Sequence, residues 1–343
     1  MSEASAGPPP LPGTAAGLED SLLGGRRKWR RREVARSVGV SLLSARKLWR
    51  ALGFASVDDE DVAFTDADAD ALERTVSMVR DEMLDEDTTI AFARALGQTT
   101  DRLVSWQVEA LMEHLVSCPH PDCASGSSTG AVAHLSGIVE DLEALLVYAW
   151  RRKLAAAVAR LEHPPPGQDA PSGKLTVGFA DLVSYTRLSQ RLTQRELGVL
   201  VQRFEGLASD VVTAGGGRVI KTVGDEVLFT ADDPLSAAVI GLSLSERLAI
   251  DEVVPDVRVG IAHGLVLRSL GDVYGSTVNL ASRLTALAEP GTVVTDPNTA
   301  SMLARYEGLV LVPQRRRQVR GFGPLQPLLV TRAGPTDQLI DID

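Results

Sequence analysis

Three consecutive prolines, Pro164 to Pro166, cut the chain into two stretches of different texture. Proline has no amide to donate and disfavours helical geometry in the residue before it, so no regular element is expected to run through this point. Upstream, Leu135, Ile138, Val139, Leu142, Leu145, Leu146, Leu154, Val158 and Leu161 recur in threes and fours, the apolar stripe of one long helix. Downstream of Gly173, short apolar runs alternate with helical patterns. A chain of 343 residues can hold two cores at roughly 150 residues each. The expected plan is a flexible tail over 1–25, a helical domain over 26–162 closed by a long helix over 135–162, a linker over 163–173, a second domain over 174–332 and a C-terminal tail over 333–343.

Charge is spread unevenly over the helical half. Residues 26–50 hold ten Lys/Arg and one acid, Glu33, whereas Asp58 to Asp70 holds seven acids and no base. Within the basic stretch two short helices are predicted around Val38-Gly39-Val40, with Ser41 as N-cap of the second. Further helices are predicted over 68–84 and from about 88 to 115, and no alternating apolar run interrupts them, so this half reads as all-helical. Over the whole chain the formal charge is −10 and 44% of residues are apolar, which excludes disorder, collagen and disulfide scaffolds as global descriptions. No stretch reaches the roughly 18–20 apolar residues of a membrane span. The opening MSEASAGPPPLPG lacks the apolar centre of a signal peptide, and the two cysteines, Cys118 and Cys123, suit a reducing compartment. A soluble, cytoplasmic protein without membrane contact is expected.

In the second half, Leu175 to Ala180 reads as a strand, and Thr193-Gln194-Arg195-Glu196 is a capping box opening a helix that ends at Gly215-Gly216-Gly217. Arg218 to Thr230 reads as two strands joined by a tight turn at Gly224-Asp225. Asp233-Pro234 opens a helix to about Ile250; Val257 to Leu267 is a strand, Ser276 to Leu287 a helix and Thr292 to Thr295 a strand. The order β-α-β-β-α-β is that of a split-βαβ, ferredoxin-like sheet, so the chain as a whole is read as α+β.

Two carboxylates stand at informative places. Asp181 follows the first strand in FADLVSYTRLS, and Asp225 sits in the hairpin turn of GRVIKTVGDEVLF. In a split-βαβ sheet these two positions are neighbours, so the pair could bind a hard divalent cation through oxygen. Asp181 could equally cap a helix and Asp225 be an ordinary turn residue. Farther on, in GDVYGSTVNLASRL, Asn279 and Arg283 lie four apart and share one face of a predicted helix. An amide beside a guanidinium suits a ribose oxygen and a phosphoryl oxygen, and the same spacing also fits an ordinary exposed polar face.

In this order, FADLVSYTRLS, GRVIKTVGDEVLF and GDVYGSTVNLASRL resemble the catalytic domain of class III adenylate/guanylate cyclases, over about Lys174 to Arg332. The resemblance implies that Asp181 and Asp225 are metal ligands for two Mg²⁺ or Mn²⁺ ions per site, that Lys221 and Asp272 read the adenine, that Asn279 orients the ribose and that Arg283 stabilises the transition state. It further implies that the backbone amides of Val183, Ser184, Tyr185 and Thr186 receive the β- and γ-phosphates, in keeping with anion binding at a helix N-terminus. A lysine only donates, as to adenine N1, and a carboxylate can accept from the exocyclic amine. The implied activity is conversion of ATP to cyclic AMP and pyrophosphate, and the implied assembly a homodimer with two composite active sites. Tyr185 stands where the family often has phenylalanine, and Thr292 and Phe322 stand where some members place basic residues on the triphosphate, with Arg320 nearby.

The helical half resembles, less specifically, the regulatory domains of soluble bacterial cyclases, which implies regulation, including autoinhibition. Its helix-turn-helix pattern and net charge of +9 over 26–50 fit a second reading, a DNA-binding regulator with an appended cyclase-like nucleotide sensor. The basic stretch could instead dock on the acidic run at 58–70. Thr222 to Val227 also resembles the turn of diguanylate cyclases, a rival that leaves Asp272, Asn279 and Arg283 without a role. His114, Cys118, His120 and Cys123 lack a second paired knuckle and are read as loop rather than zinc site. Asp66, Asp68 and Asp70 mimic an EF-hand opening, but Ala71 and Ser77 replace its glycine and glutamate.

Overall fold

The structure, a computed structural model, describes residues 14–54, 58–117, 128–162, 172–269 and 271–334. Residues 163–171, Cys118, His120, Cys123 and the two chain ends therefore lie outside the described residues. The chain divides into two compact units, residues 1–157 and 158–343. Among the described residues no helix is long and apolar enough to cross a membrane.

The first unit is helical with one exception. Helices α1 (Ala15–Leu22), α2 (Arg31–Val38), α3 (Leu42–Ala51), α4 (Asp66–Arg80), α5 (Glu86–Ser117) and α6 (Ser128–Glu162) are joined by a short antiparallel pair, β1 (Trp29–Arg30) with β2 (Val62–Phe64). This ribbon corrects the all-helical expectation; strands of two and three residues are too short to show an alternating pattern. Helix α1 corrects the expected tail over 1–25: Thr14 caps it, its hydroxyl accepting from the Gly17 amide at 3.2 Å. The turn between α2 and α3 forms as expected, with Gly39 left-handed at φ 78° and Ser41 capping α3. Val34, Ala45, Leu48, Trp49, Phe64 and Leu72 make its core, with the Trp49 and Phe64 rings 4.4 Å apart between centroids. The long helix α6 begins at Ser128, ahead of the expected 135.

The second unit is a sheet with helices on both faces. Its elements are β3 (Ser172–Leu182), α7 (Tyr185–Ser189), α8 (Gln194–Ala214), β4 (Arg218–Val223), β5 (Glu226–Ala231), α9 (Pro234–Leu248), β6 (Val257–Ser269), β7 (Asp272–Tyr274), α10 (Ser276–Thr285), β8 (Thr292–Thr295), α11 (Pro297–Leu303), β9 (Leu309–Pro313), β10 (Arg317–Val319), β11 (Gly323–Leu325) and β12 (Leu328–Arg332). The main sheet runs β4-β5-β3-β6-β8-β12-β9, with β7 on β6. Its first four strands are antiparallel neighbours in the split-βαβ order, and β8 joins β6 in parallel. Strand β3 starts at Ser172, where the linker was expected, because Ser172 and Gly173 pair with Leu267 and Val266.

Alternation along β3 builds two cores. Ala180 and Leu182 pack with Phe204, Val211 and Ile240 of α8 and α9. Leu175, Val177 and Phe179 face the other way, against Ala281 and Leu284 of α10. At Gly178 the Phe229 ring lies where a side chain would begin: a Cβ there would sit 2.1 Å from Cζ. Asp181 is thus carried to the end of β3 on the α10 side of the sheet.

Candidate active site at the end of a central strand

Strand register brings four side chains into a row. Asp181 lies opposite Glu226 on β5 and opposite Arg258 on β6, and Arg258 lies opposite Thr292 on β8. Directly opposed residues share a sheet face, so Glu226, Asp181, Arg258 and Thr292 line one end of the α10 face. Asp225 occupies the β4–β5 turn, and its carbonyl accepts from the Leu182 amide at 3.0 Å, which ties the turn to the end of β3.

Three carboxylates crowd this end. Burial and then the Asp225 charge push the Asp181 carboxyl above its ordinary range, and the Arg258 charge opposes them. Burial, Asp181 and Asp225 together push Glu226 up to about 7. Such mutual repulsion is what a divalent cation removes, and an all-oxygen pair suits Mg²⁺ or Mn²⁺, which take one or two carboxylates and fill the remaining positions with water and phosphate. Among the described residues no group of three or more His, Cys, Asp or Glu side chains could hold a metal by itself.

Beyond Asp181 the chain turns at Ser184, left-handed at φ 61°, into α7. The Arg187 and Leu188 amides fold back onto the Ser184 carbonyl at 3.0 and 3.1 Å. Val183 departs from the expected phosphate cradle: its amide donates to the Asp256 carbonyl at 2.8 Å, because the chain still runs beside the start of β6. Ser184, Tyr185 and Thr186 stay at the opening of α7, whose first amides have no partner within the helix.

Lys221 on β4 and Asp272 on β7 are brought together although 51 residues separate them: Lys221 Nζ donates to Asp272 Oδ2 at 2.5 Å. Burial alone raises the Asp272 carboxyl, but the Lys221 bond, the Val273 amide and the Tyr274 hydroxyl outweigh it and hold the group below its usual range. The pair offers one donor and one ionised acceptor side by side. Asn279 and Arg283 lie on α10, whose Thr277, Ala281, Leu284 and Thr285 are the buried, sheet-facing side. Both are exposed, on the opposite side of the helix from those residues. Within one chain they are not turned toward Asp181.

Glu226 and Arg258 were not singled out from sequence. Glu226 carried a usable signal, since it follows the turn residue Asp225 and must pair across the hairpin with a residue of β3. Arg258 carried none until the β3–β6 register was known.

The Adenylate and Guanylate cyclase catalytic domain family matches residues 168–331. Over most of its length the chain is similar to an adenylate cyclase of Glutamicibacter nicotianae, 45% identical across 99% of this chain and 90% of the relative. An adenylate cyclase of Streptomyces coelicolor is 41% identical across 92% of this chain and 89% of its own. Among solved structures, the adenylyl cyclase CyaB from P. aeruginosa is similar with a TM-score of 0.44 at 25% identity, over 49% of this chain and 97% of that one.

Proposed function

This chain belongs to the adenylate and guanylate cyclase family and is an adenylate cyclase; we propose that it forms cyclic AMP at sites shared between two copies, under the control of its helical half. The observation that carries the base preference is the Lys221–Asp272 pair, a donor beside an acceptor held 2.5 Å apart. Adenine presents the matching edge, N1 to accept and the exocyclic amine to donate, and guanine presents the reverse.

Asp181 and Asp225 would hold Mg²⁺ or Mn²⁺, whose chemistry is to acidify the ribose 3′-hydroxyl and offset the charge of the leaving pyrophosphate. The amides of Ser184, Tyr185 and Thr186 receive phosphate oxygens at the start of α7. Asn279 orients the ribose so that its 3′-oxygen faces the α-phosphorus in line with the leaving oxygen, and Arg283 offsets the charge that grows on that phosphorus. The new bond is O3′–P, the broken bond joins the α-phosphorus to its bridging oxygen, and the 3′-proton is lost. The direct test is incubation of the purified chain with ATP and Mn²⁺. Cyclic AMP and pyrophosphate in equal amounts are expected, and a folded chain that yields neither contradicts the reading.

Base choice gives a second expected result. Lys221→Glu and Asp272→Cys should each lower ATP turnover by roughly 10²-fold or more, because unpaired polar groups then face the base. An ATP-over-GTP preference unchanged by either substitution would remove these residues from base selection.

For residues 26–50 we favour regulation over DNA binding, on grounds of charge. Lys28, Arg31, Arg32 and Arg46 pair with Asp66, Asp59, Glu60 and Asp59 of the acidic run. Arg26, Arg27 and Lys47 pair with Asp20, Glu19 and Glu86. Bases engaged in this way release few counterions from DNA, the main source of affinity for it. Removing residues 1–170 should raise the cyclase rate, since the second unit carries its own two cores and the helical half acts on it as an inhibitor. Equal specific activity of the long and short chains across pH 5–8 would refute the coupling.

A further inference from the structure

We propose that Arg258 is a phosphate-binding residue of this site; this rests on the adenylate cyclase reading above. Register supplies the geometry. Arg258 is directly opposed to Asp181 across the β3–β6 pair, with Thr292 on its other side across β6–β8. Asp225 at the hairpin, Asp181 at the end of β3 and Arg258 on β6 then present, in order along the sheet end, the charges that a metal–triphosphate needs: negative groups for the cation and a positive group for the anion it carries.

Within the chain Arg258 acts on Asp181 through its charge and not through a hydrogen bond. Its Nε is buried without a hydrogen-bond partner, and its side chain makes no hydrogen bond or ion pair among the described residues. Arg332, also half-buried on this sheet, is by contrast spent on Glu246 Oε1 at 2.8 Å and Ser243 Oγ at 3.1 Å. A half-buried guanidinium whose Nε lacks a hydrogen-bond partner is costly to keep unless something arrives to meet the rest of it. Because Nε is covered, the terminal nitrogens are the groups that an arriving phosphate can reach. Arg320, in the turn between β10 and β11, is exposed, and no register links it to Asp181.

The test separates phosphate binding from folding and from base binding. The full-length chain and its Arg258→Gln, Arg258→Lys and Arg320→Gln variants are titrated calorimetrically with inorganic pyrophosphate in Mn²⁺, with Mn²⁺ alone and with adenosine. Arg258→Gln should weaken pyrophosphate binding tenfold or more, leave adenosine within twofold, and bind Mn²⁺ alone at least as tightly as the parent, since a positive charge beside the carboxylates has gone. Arg258→Lys should lose several-fold on pyrophosphate alone, because an ammonium keeps the charge but not the planar fork; it carries the test if Arg258→Gln does not fold. Pyrophosphate binding within twofold of the parent, equal losses for pyrophosphate and adenosine, or a loss confined to Arg320→Gln would overturn the assignment. A parent chain that makes no cyclic AMP would instead sink the cyclase reading, and a parent that makes it while Arg258→Gln binds pyrophosphate normally would sink this inference alone.

Discussion

Asp181→Ala and Asp225→Ala should each lower cyclic AMP formation on the order of 10³-fold, with no recovery at high Mn²⁺, because removal of one carboxylate leaves a divalent ion poorly held and the triphosphate charge unbalanced. The fold should not suffer. Asp181 is held above its ordinary pKa by burial and by Asp225, with Arg258 opposing. A carboxyl raised in this way costs the folded state stability at neutral pH, where it is ionised, and that cost fades as pH falls through the raised value. Asp181→Ala should therefore melt at the parent's temperature or slightly above it at pH 7, with the advantage shrinking at acid pH. Loss of activity without loss of stability marks a site residue. Metal-dependent turnover within tenfold of the parent in either variant would contradict the assignment.

Much of the second unit was legible because its elements announce themselves locally. Thr193 with Glu196, Asp233 before Pro234, and the Gly224-Asp225 turn each set an element boundary through a hydrogen bond or backbone angle confined to a few residues. What stayed hidden depends on partners distant in the chain. The start of β3 at Ser172 is decided by Leu267, and the Val183 amide is taken by the carbonyl of Asp256. Neither partner can be named before the β3–β6 register is known. The β1–β2 ribbon is too short for a pattern, and its pairing of Trp29 with Phe64 spans the whole helix-turn-helix segment. In the candidate site, the motifs single out Asp181, Asp225, Lys221 and Asp272, whereas Glu226 and Arg258 acquire meaning only as cross-strand neighbours of Asp181.

The second large effect concerns assembly. Asp181 lies at the end of β3 on the α10 face, while Asn279 and Arg283 are exposed on the far side of α10 from the sheet. One chain thus carries both sets of groups without turning one toward the other. A two-fold pairing that applies α10 of one copy to the strand end of the other would complete two equivalent sites.

Mixing an Asp181→Ala chain with an Arg283→Ala chain measures this most directly. Each mutant homodimer has two damaged sites and should be nearly inactive. The heterodimer has one site with both lesions and one with neither, so the shared-site account predicts activity far above either parent homodimer, about half of the unmutated dimer when the two sites act independently. Two inactive mutants that demonstrably form heterodimers and still show no recovery would contradict it.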